Sequence, residues 1–285
     1  MKPIFAFDIT EDKENGKNCS ELFLVKKTNE NLEKHLDENV EDLESTVSAS
    51  KLPTPLVLIE YICGLFGLIV VSSMLTSEVG IRQAIRNAPI LCVLGVCSLI
   101  IGATLLVASV IKSKRVLKEE NAEGKIEKCD RVTKEIFAEL EVPADAVDTD
   151  VLLFSYKLKD GEIKPVAPGL SPSPYLNHRM MAYVEDDNLC LADVGGVYCF
   201  PIEKIRALKT VKKRVIIPEW NKEEKHNKGV YKEFKIATNQ YGYTVKGYHV
   251  LEMERDGETY GLYFPAYERH TLERLTGIVA ESLEE

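Results

Sequence analysis

Two uninterrupted apolar runs, Leu56–Leu75 and Ala88–Ile111, stand out from an otherwise mixed pattern of hydrophobic and polar positions. Glu60 is the one charged residue of the first run, and the second has none. At 1.5 Å rise per residue the runs reach roughly 30 and 36 Å, enough to cross a hydrocarbon core of about 30 Å. A surface helix of a soluble protein is apolar along one stripe, not on every face. The pattern therefore predicts a two-helix transmembrane hairpin over residues 54–112. Pro53 and Pro55 stand at its start, where a missing N–H costs little.

The flanks read differently. Leu32, Leu36, Val40, Leu43 and Val47 recur at helical spacing, with Glu33, Asp37, Glu38, Glu41, Asp42 and Glu44 opposite. A helix lying on an anionic membrane carries Lys and Arg on its polar face, so this acidic one is expected to pack on protein. Ile4–Ile9 and Leu22–Val25 are candidate short strands ahead of it. Past the hairpin, Glu119–Leu140 predicts another helix, stopped by Pro143. The two polar helices are expected to pair as a stalk.

From Asp150 the period shortens. Val151–Leu158 and Glu162–Val166 flank Lys159-Asp160-Gly161, a hairpin signal because Gly tolerates positive φ. A Pro-rich loop follows, including Ser171-Pro172-Ser173-Pro174. Met180–Val184, Leu189–Ala192, Val197–Phe200, Arg214–Ile217, Tyr231–Ala237, Tyr243–Glu254 and Tyr260–Phe264 are further strands. A helix over Tyr267–Ser282 closes the chain, its apolar side Leu272, Leu275, Ile278 and Val279. Closely spaced strands followed by one helix predict an antiparallel barrel or bent sandwich capped by that helix.

The expected organisation is a cytosolic N-terminal segment (1–53), the hairpin (54–112), a polar linker helix (113–148) and a strand-rich domain (149–285). The fold class is thus a membrane α-helical hairpin with an α+β cytosolic region. Over Asn188–Leu208 a strand, a Gly turn and a strand running into Pro201-Ile202 precede Glu203-Lys204-Ile205. That order resembles the bacterial versions of the pleckstrin-homology-like (PH-like) superfold. The layout, two spans and then such a domain, is similar to bacterial YcxB-like membrane proteins. The resemblance implies a binding or scaffolding module rather than a catalyst.

Charge sets the expected topology and partners. Lys51, Lys112, Lys114, Arg115 and Lys118 flank the hairpin, against Arg82 and Arg86 in the loop Thr76–Asn87, which also carries Glu78. By the positive-inside rule both termini are cytosolic and the loop faces out. The net charge of −9 resides at both ends of the chain, a poor balance for phosphate contacts, so no nucleic-acid partner is expected. No apolar core of a signal peptide follows Met1-Lys2-Pro3.

Candidate chemistry is sparse. Cys19, Cys63, Cys92, Cys97, Cys129, Cys190 and Cys199 include no CxxC pair, and reduced cytosolic thiols are the expectation, even if Cys190 and Cys199 approach across a hairpin. His35, His178, His226, His249 and His270 show no ligand spacing. No metal, cofactor or catalytic constellation emerges. Glu185, Asp186 and Asp187 read as turn chemistry, and His178-Arg179 as a solvated loop. Glu60 reads either as an intramembrane ion ligand or as an interfacial carboxylate near the positive end of its helix. The lack of a charged partner in either span favours the second.

Two features remain. Gly64 and Gly67 in the first span, and Gly95, Ser98 and Gly102 in the second, form small-residue faces that let helix backbones approach. Lys204, Arg206, Lys209, Lys212, Lys213 and Arg214 form a basic run without an acid among them. Beside an inner leaflet each cation contributes on the order of 1 kcal/mol towards anionic headgroups; on an edge strand lysines also discourage unwanted pairing. The sequence thus points to a cell-membrane protein in which a cytosolic interaction or sensing module binds protein or anionic headgroups. The alternative is an accessory subunit or small oligomeric transporter built on the hairpin. The bilayer, a protein partner or a second copy are the expected partners.

Overall fold

The computed structural model describes residues 1–10, 16–76, 81–167, 169, 171, 173–218, 232–239 and 242–282. Asn29 starts α1 (Glu30–Ser50), its side-chain Oδ1 accepting from the Asn31 N–H at 2.9 Å. Next come α2 (Thr54–Leu75), α3 (Ile81–Asn87), α4 (Pro89–Glu119) and α5 (Ala122–Glu139). Among the described residues, α2 and α4 are the two helices long and apolar enough to cross a membrane. Most of their large apolar side chains are exposed, as lipid-facing residues are and core residues are not. The chain is therefore an α+β protein with two long apolar helices and a curled β-sheet.

Close packing of α2 on α4 depends on glycine. A Cβ on Gly102 would lie 2.7 Å from the Gly64 backbone nitrogen, and one on Gly67 would meet the Leu99 backbone. A Cβ on Gly95 would collide with Val70, whereas one on Gly64 meets nothing within 4 Å. Gly64 thus offers its backbone as the surface on which Gly102 rests. Ser98 is half-buried on α4. The polar helices also meet: Lys125 of α5 reaches Asp42 Oδ1 at 2.9 Å and donates to Thr46 Oγ1 at 2.8 Å on α1.

The chain divides into two compact units, residues 1–33 with 135–285, and residues 34–134. The first is a β unit built from both flanks of the hairpin. Its N-terminal strands are β1 (Lys2–Pro3), β2 (Ala6–Asp8), β3 (Lys17–Asn18) and β4 (Leu24–Lys27). The C-terminal flank supplies β5 (Val147–Lys159), β6 (Glu162–Val166), β7 (Tyr175–Glu185), β8 (Asn188–Ala192) and β9 (Gly196–Pro201). It continues with β10 (Ile205–Val211), β11 (Val215–Ile217), β12 (Ala237–Asn239), β13 (Gly242–Val245), β14 (Tyr248–Arg255) and β15 (Glu258–Pro265). Helix α6 (Arg269–Thr276) and β16 (Ala280–Ser282) end it.

Three sheets result, ordered β3-β2-β5-β7-β8-β9-β4 with β6 on β5, β1-β15-β14-β10-β16, and β11-β13-β12. Residues 1–33, read from sequence as a separate segment, belong to this assembly: β1 pairs with β15, β2 with β5 and β4 with β9. Ile4, Phe5 and Phe23 lie in the same core as Val151, Phe200, Leu251 and Leu272.

The tight turns follow their sequence. Asp160-Gly161, Asp186-Asp187 and Asp256-Gly257 all have positive φ, the backbone of a two-residue hairpin. Two expectations change. The closing helix stops at Thr276, because Gly277 adopts φ +71 and donates its N–H to the Glu273 carbonyl at 2.9 Å. The chain then runs as β16, parallel to β10, instead of continuing to Ser282 as helix. The long strand expected over Tyr243–Glu254 is broken at Lys246-Gly247 into β13 and β14, which join different sheets. Of the expected strand Tyr231–Ala237, Tyr231 lies outside the described residues, and the strand observed is β12. Glu78, Pro172 and His226 also lie outside them.

Candidate functional site

The basic run divides in two once its strands pair. Along β10, Arg206 pairs with Glu254, and Lys209 with Glu252 at 2.7 Å, both acids standing on neighbouring β14. Lys204 meets its own neighbour Glu203 at 3.5 Å. These three cations are matched locally. Lys212, Lys213 and Arg214, in the connection from β10 to β11, are exposed and form no ion pair among the described residues.

Lys212 and Arg214 line a cavity of about 470 Å³ with Thr210, Lys235 and Lys246. Gly247 and Ala266, both buried, close its floor. Lys246 projects from the break between β13 and β14, and Lys235 precedes β12 in a left-handed conformation, φ +51. Glu233 is the acid on the lining, and His270 Nε2 holds its carboxylate at 2.9 Å. The sequence does not single out Lys235 and Lys246, because they lie more than twenty residues beyond the basic run and join it only when the third sheet folds back.

Beneath the cavity lies His249, opposite Thr210 in the β10–β14 register. Its Nε2 lies 3.1 Å from the Ala266 carbonyl and its Nδ1 3.0 Å from Thr210 Oγ1. A carbonyl only accepts, so Nε2 carries the proton and the neutral ring accepts the Thr210 hydroxyl at Nδ1. Burial pushes the imidazole below its ordinary pKa.

Other candidates stay separate from this site. His178 Nε2 meets Asp193 Oδ2 at 2.9 Å, while Asp193 Oδ1 accepts the Gly195 and Gly196 N–H groups; this arrangement fixes the β8–β9 turn. Arg179 lies 3.4 Å from Asp148. Asp186 and Asp187 form a turn, with Asn188 Nδ2 donating to the Glu185 and Asp186 carbonyls. Glu60 is half-buried in α2. No group of three His, Cys, Asp or Glu residues able to hold a metal occurs among the described residues.

Cys190 and Cys199 are direct cross-strand partners on β8 and β9, their Cα atoms 4.3 Å apart, and are joined as a disulfide. The expectation of two reduced thiols is thereby altered. The spacing is that of a non-hydrogen-bonded pair, the antiparallel position where side chains approach most closely.

No protein-family model matches the chain, and no curated protein or solved structure matches it either. The functional reading therefore rests on the geometry above.

Proposed function

We propose that this chain is a membrane-anchored interaction module, with α2 and α4 as the anchor and the β unit as the part that engages an anionic membrane surface. One observation carries the reading: three neighbouring cations, Lys212, Lys213 and Arg214, remain exposed and unmatched in an acidic protein that neutralises the rest of the same run. Mostly antiparallel pairing along β5 to β15 and the helix that follows support a PH-like reading of the β unit. The chain leaves the β unit at one end of the hairpin segment and returns to it at the other. An even number of crossings is what such a discontinuous unit requires, and the charge bias around the spans favours its cytosolic placement. In a reducing compartment the β8–β9 register would hold Cys190 and Cys199 as adjacent thiols.

The test uses the full chain in nanodiscs of neutral or anionic lipid. Amide exchange at Val211–Val215 is expected to slow only on anionic lipid, and to recover as salt shortens the screening length from about 10 Å at 0.1 M. Replacing Lys212, Lys213 and Arg214 with Gln should remove the response. Equal exchange on both lipids defeats the membrane-surface reading and leaves a protein partner as the better account of these cations.

A further inference from the structure

We propose that the cavity between β10, β14 and the third sheet is a defined site for one phosphate-class dianion, either free phosphate or the phosphomonoester of a headgroup. The proposal deepens the preceding reading, since Lys212 and Arg214 belong to both. It differs in naming a single group bound in an open cavity instead of a charged surface.

Four cations from three separated stretches of chain meet here, Lys212 and Arg214, Lys235, and Lys246. None has a carboxylate partner among the described residues, and the acid beside them, Glu233, is held by His270. Four cations share the lining with one carboxylate, so the site keeps a net positive charge that an anion would offset. The backbone is bent to achieve this convergence. Lys235 occupies a left-handed conformation that non-glycine residues seldom adopt, and a Cβ on Gly247 would lie 3.2 Å from the Val211 carbonyl oxygen. Guanidinium and ammonium donors on one lining suit a compact tetrahedral anion with several acceptor oxygens. A cavity of about 470 Å³ with a closed floor suits a single such group with a short substituent.

Thr210 and His249 give the site a signature that loose surface attraction lacks. While His249 is neutral, Thr210 donates its hydroxyl proton inward to Nδ1. A protonated ring would donate from Nδ1 to Thr210 instead, releasing the hydroxyl proton to point at a bound anion. Several charges bear on the ring. On α6 Arg269 opposes its protonation and Glu273 favours it. Lys209 of β10 and Glu252 of β14 are paired with each other. A dianion that accepts from Thr210 favours the outward hydroxyl and, through it, the protonated ring. Anion binding and proton uptake at His249 therefore reinforce each other, and affinity rises as pH falls.

The experiment titrates the full chain in neutral detergent at low ionic strength with sulfate, which stays dianionic, and with inorganic phosphate. Calorimetry in two buffers of different ionisation enthalpy counts protons. Expected are one site per chain, sulfate affinity that rises as pH falls through about 6.5 and keeps rising below it, because burial depresses the free ring, and proton uptake on binding. The Lys212→Gln/Arg214→Gln double variant should lose about tenfold in affinity or more, the scale of one charge-assisted contact, whereas Lys34→Gln on α1 should lose none. Thr210→Val, nearly isosteric, should still bind but take up markedly less proton than the unmodified chain. No saturable binding of either anion, or an equal loss in the Lys34→Gln control, overturns the site; undiminished proton uptake in Thr210→Val overturns the relay. The source of the phosphate is read by displacement: phosphatidic acid in nanodiscs competing where phosphatidylglycerol does not assigns a phosphomonoester headgroup, and competition by neither assigns a soluble ligand. Sulfate binding without any response to anionic nanodiscs keeps the cavity site and removes the membrane-surface reading.

Discussion

Tyr267 shows how a buried polar group is held in this β unit. Its hydroxyl donates to Asp150 Oδ2 at 2.5 Å, and the Asp150 backbone N–H donates to Glu268 Oε1 at 3.1 Å. Burial, then the neighbouring Asp150 charge, pushes the phenol well above its ordinary pKa. The folded protein therefore keeps this proton above about pH 10, where the unfolded chain releases it. The bond's contribution is complete below that pH and is lost as pH rises past it. Replacing Tyr267 with Phe removes a donor to a buried carboxylate, an effect of about 1.5–3 kcal/mol. Thermal unfolding of the detergent-solubilised chain should show that loss at neutral pH. The variant's decline above pH 10 should be shallower, though not absent, because burial also raises Tyr175 and Tyr263. An unchanged midpoint for Tyr267→Phe would show that Asp150 does not depend on this donor.

Among the elements, the apolar helices make a test that hydrophobicity alone cannot. Gly64, Gly67 and Gly102 look equivalent as small residues on apolar faces, but their surroundings differ. Alanine at Gly67 or Gly102 would press a Cβ against the backbone of the opposite helix, whereas at Gly64 it finds open space. With Cys19, Cys63, Cys97 and Cys129 replaced by Ser so that buried Cys92 in α4 is the reporter, the thiol-dye melting temperature of the solubilised chain should thus fall markedly for Gly67→Ala and Gly102→Ala and stay near the parent for Gly64→Ala. Equal effects at all three positions would refute the glycine-contact account. The same scale shows what a sequence reveals. Apolar runs, Asp-Gly turns and the α1 helix were legible because each is a local signal, although Val40 and Val47 of its expected apolar stripe are exposed. Gly277 as a helix stop was equally local, but the apolar spacing of Ile278 and Val279 masked it. The break at Lys246-Gly247 was not legible, since an alternating run reads the same whether it serves one sheet or two. The cavity depends on that break, so sequence exposed Lys212 and Arg214 without their partners Lys235 and Lys246. The pairing of Arg206 and Lys209 with Glu254 and Glu252 was hidden for the same reason: cross-strand neighbours are set by register.

At the scale of the whole molecule, the β unit is interrupted by the hairpin and its polar helices, and this changes which fragment can fold. A boundary drawn at residue 149 keeps the closing helix and most strands, but discards the N-terminal residues that complete both large sheets. Ile4, Phe5, Ala6 and Phe23 are nearly or wholly buried among C-terminal residues. Phe23 packs its ring 5.1 Å from Phe200 and 5.4 Å from Tyr260. Each such side chain contributes roughly 1.5–3 kcal/mol when buried, so together Ile4, Phe5 and Phe23 rival the 5–15 kcal/mol that holds a whole domain. Their loss would also leave one edge each of β5, β9 and β15 without its N-terminal strand, an invitation to aggregation. Residues 149–285 expressed alone should accordingly aggregate or remain molten. Residues 1–33 joined to 135–285 through a long Gly/Ser linker should yield a soluble protein that melts cooperatively, because lengthening a flexible connection costs little entropy. Replacing Phe23 with Ala in that fusion should cost about 3–5 kcal/mol, as for other buried phenylalanines. A cooperative melt of 149–285 at the temperature of the fusion would show that the first flank decorates the β unit instead of completing it.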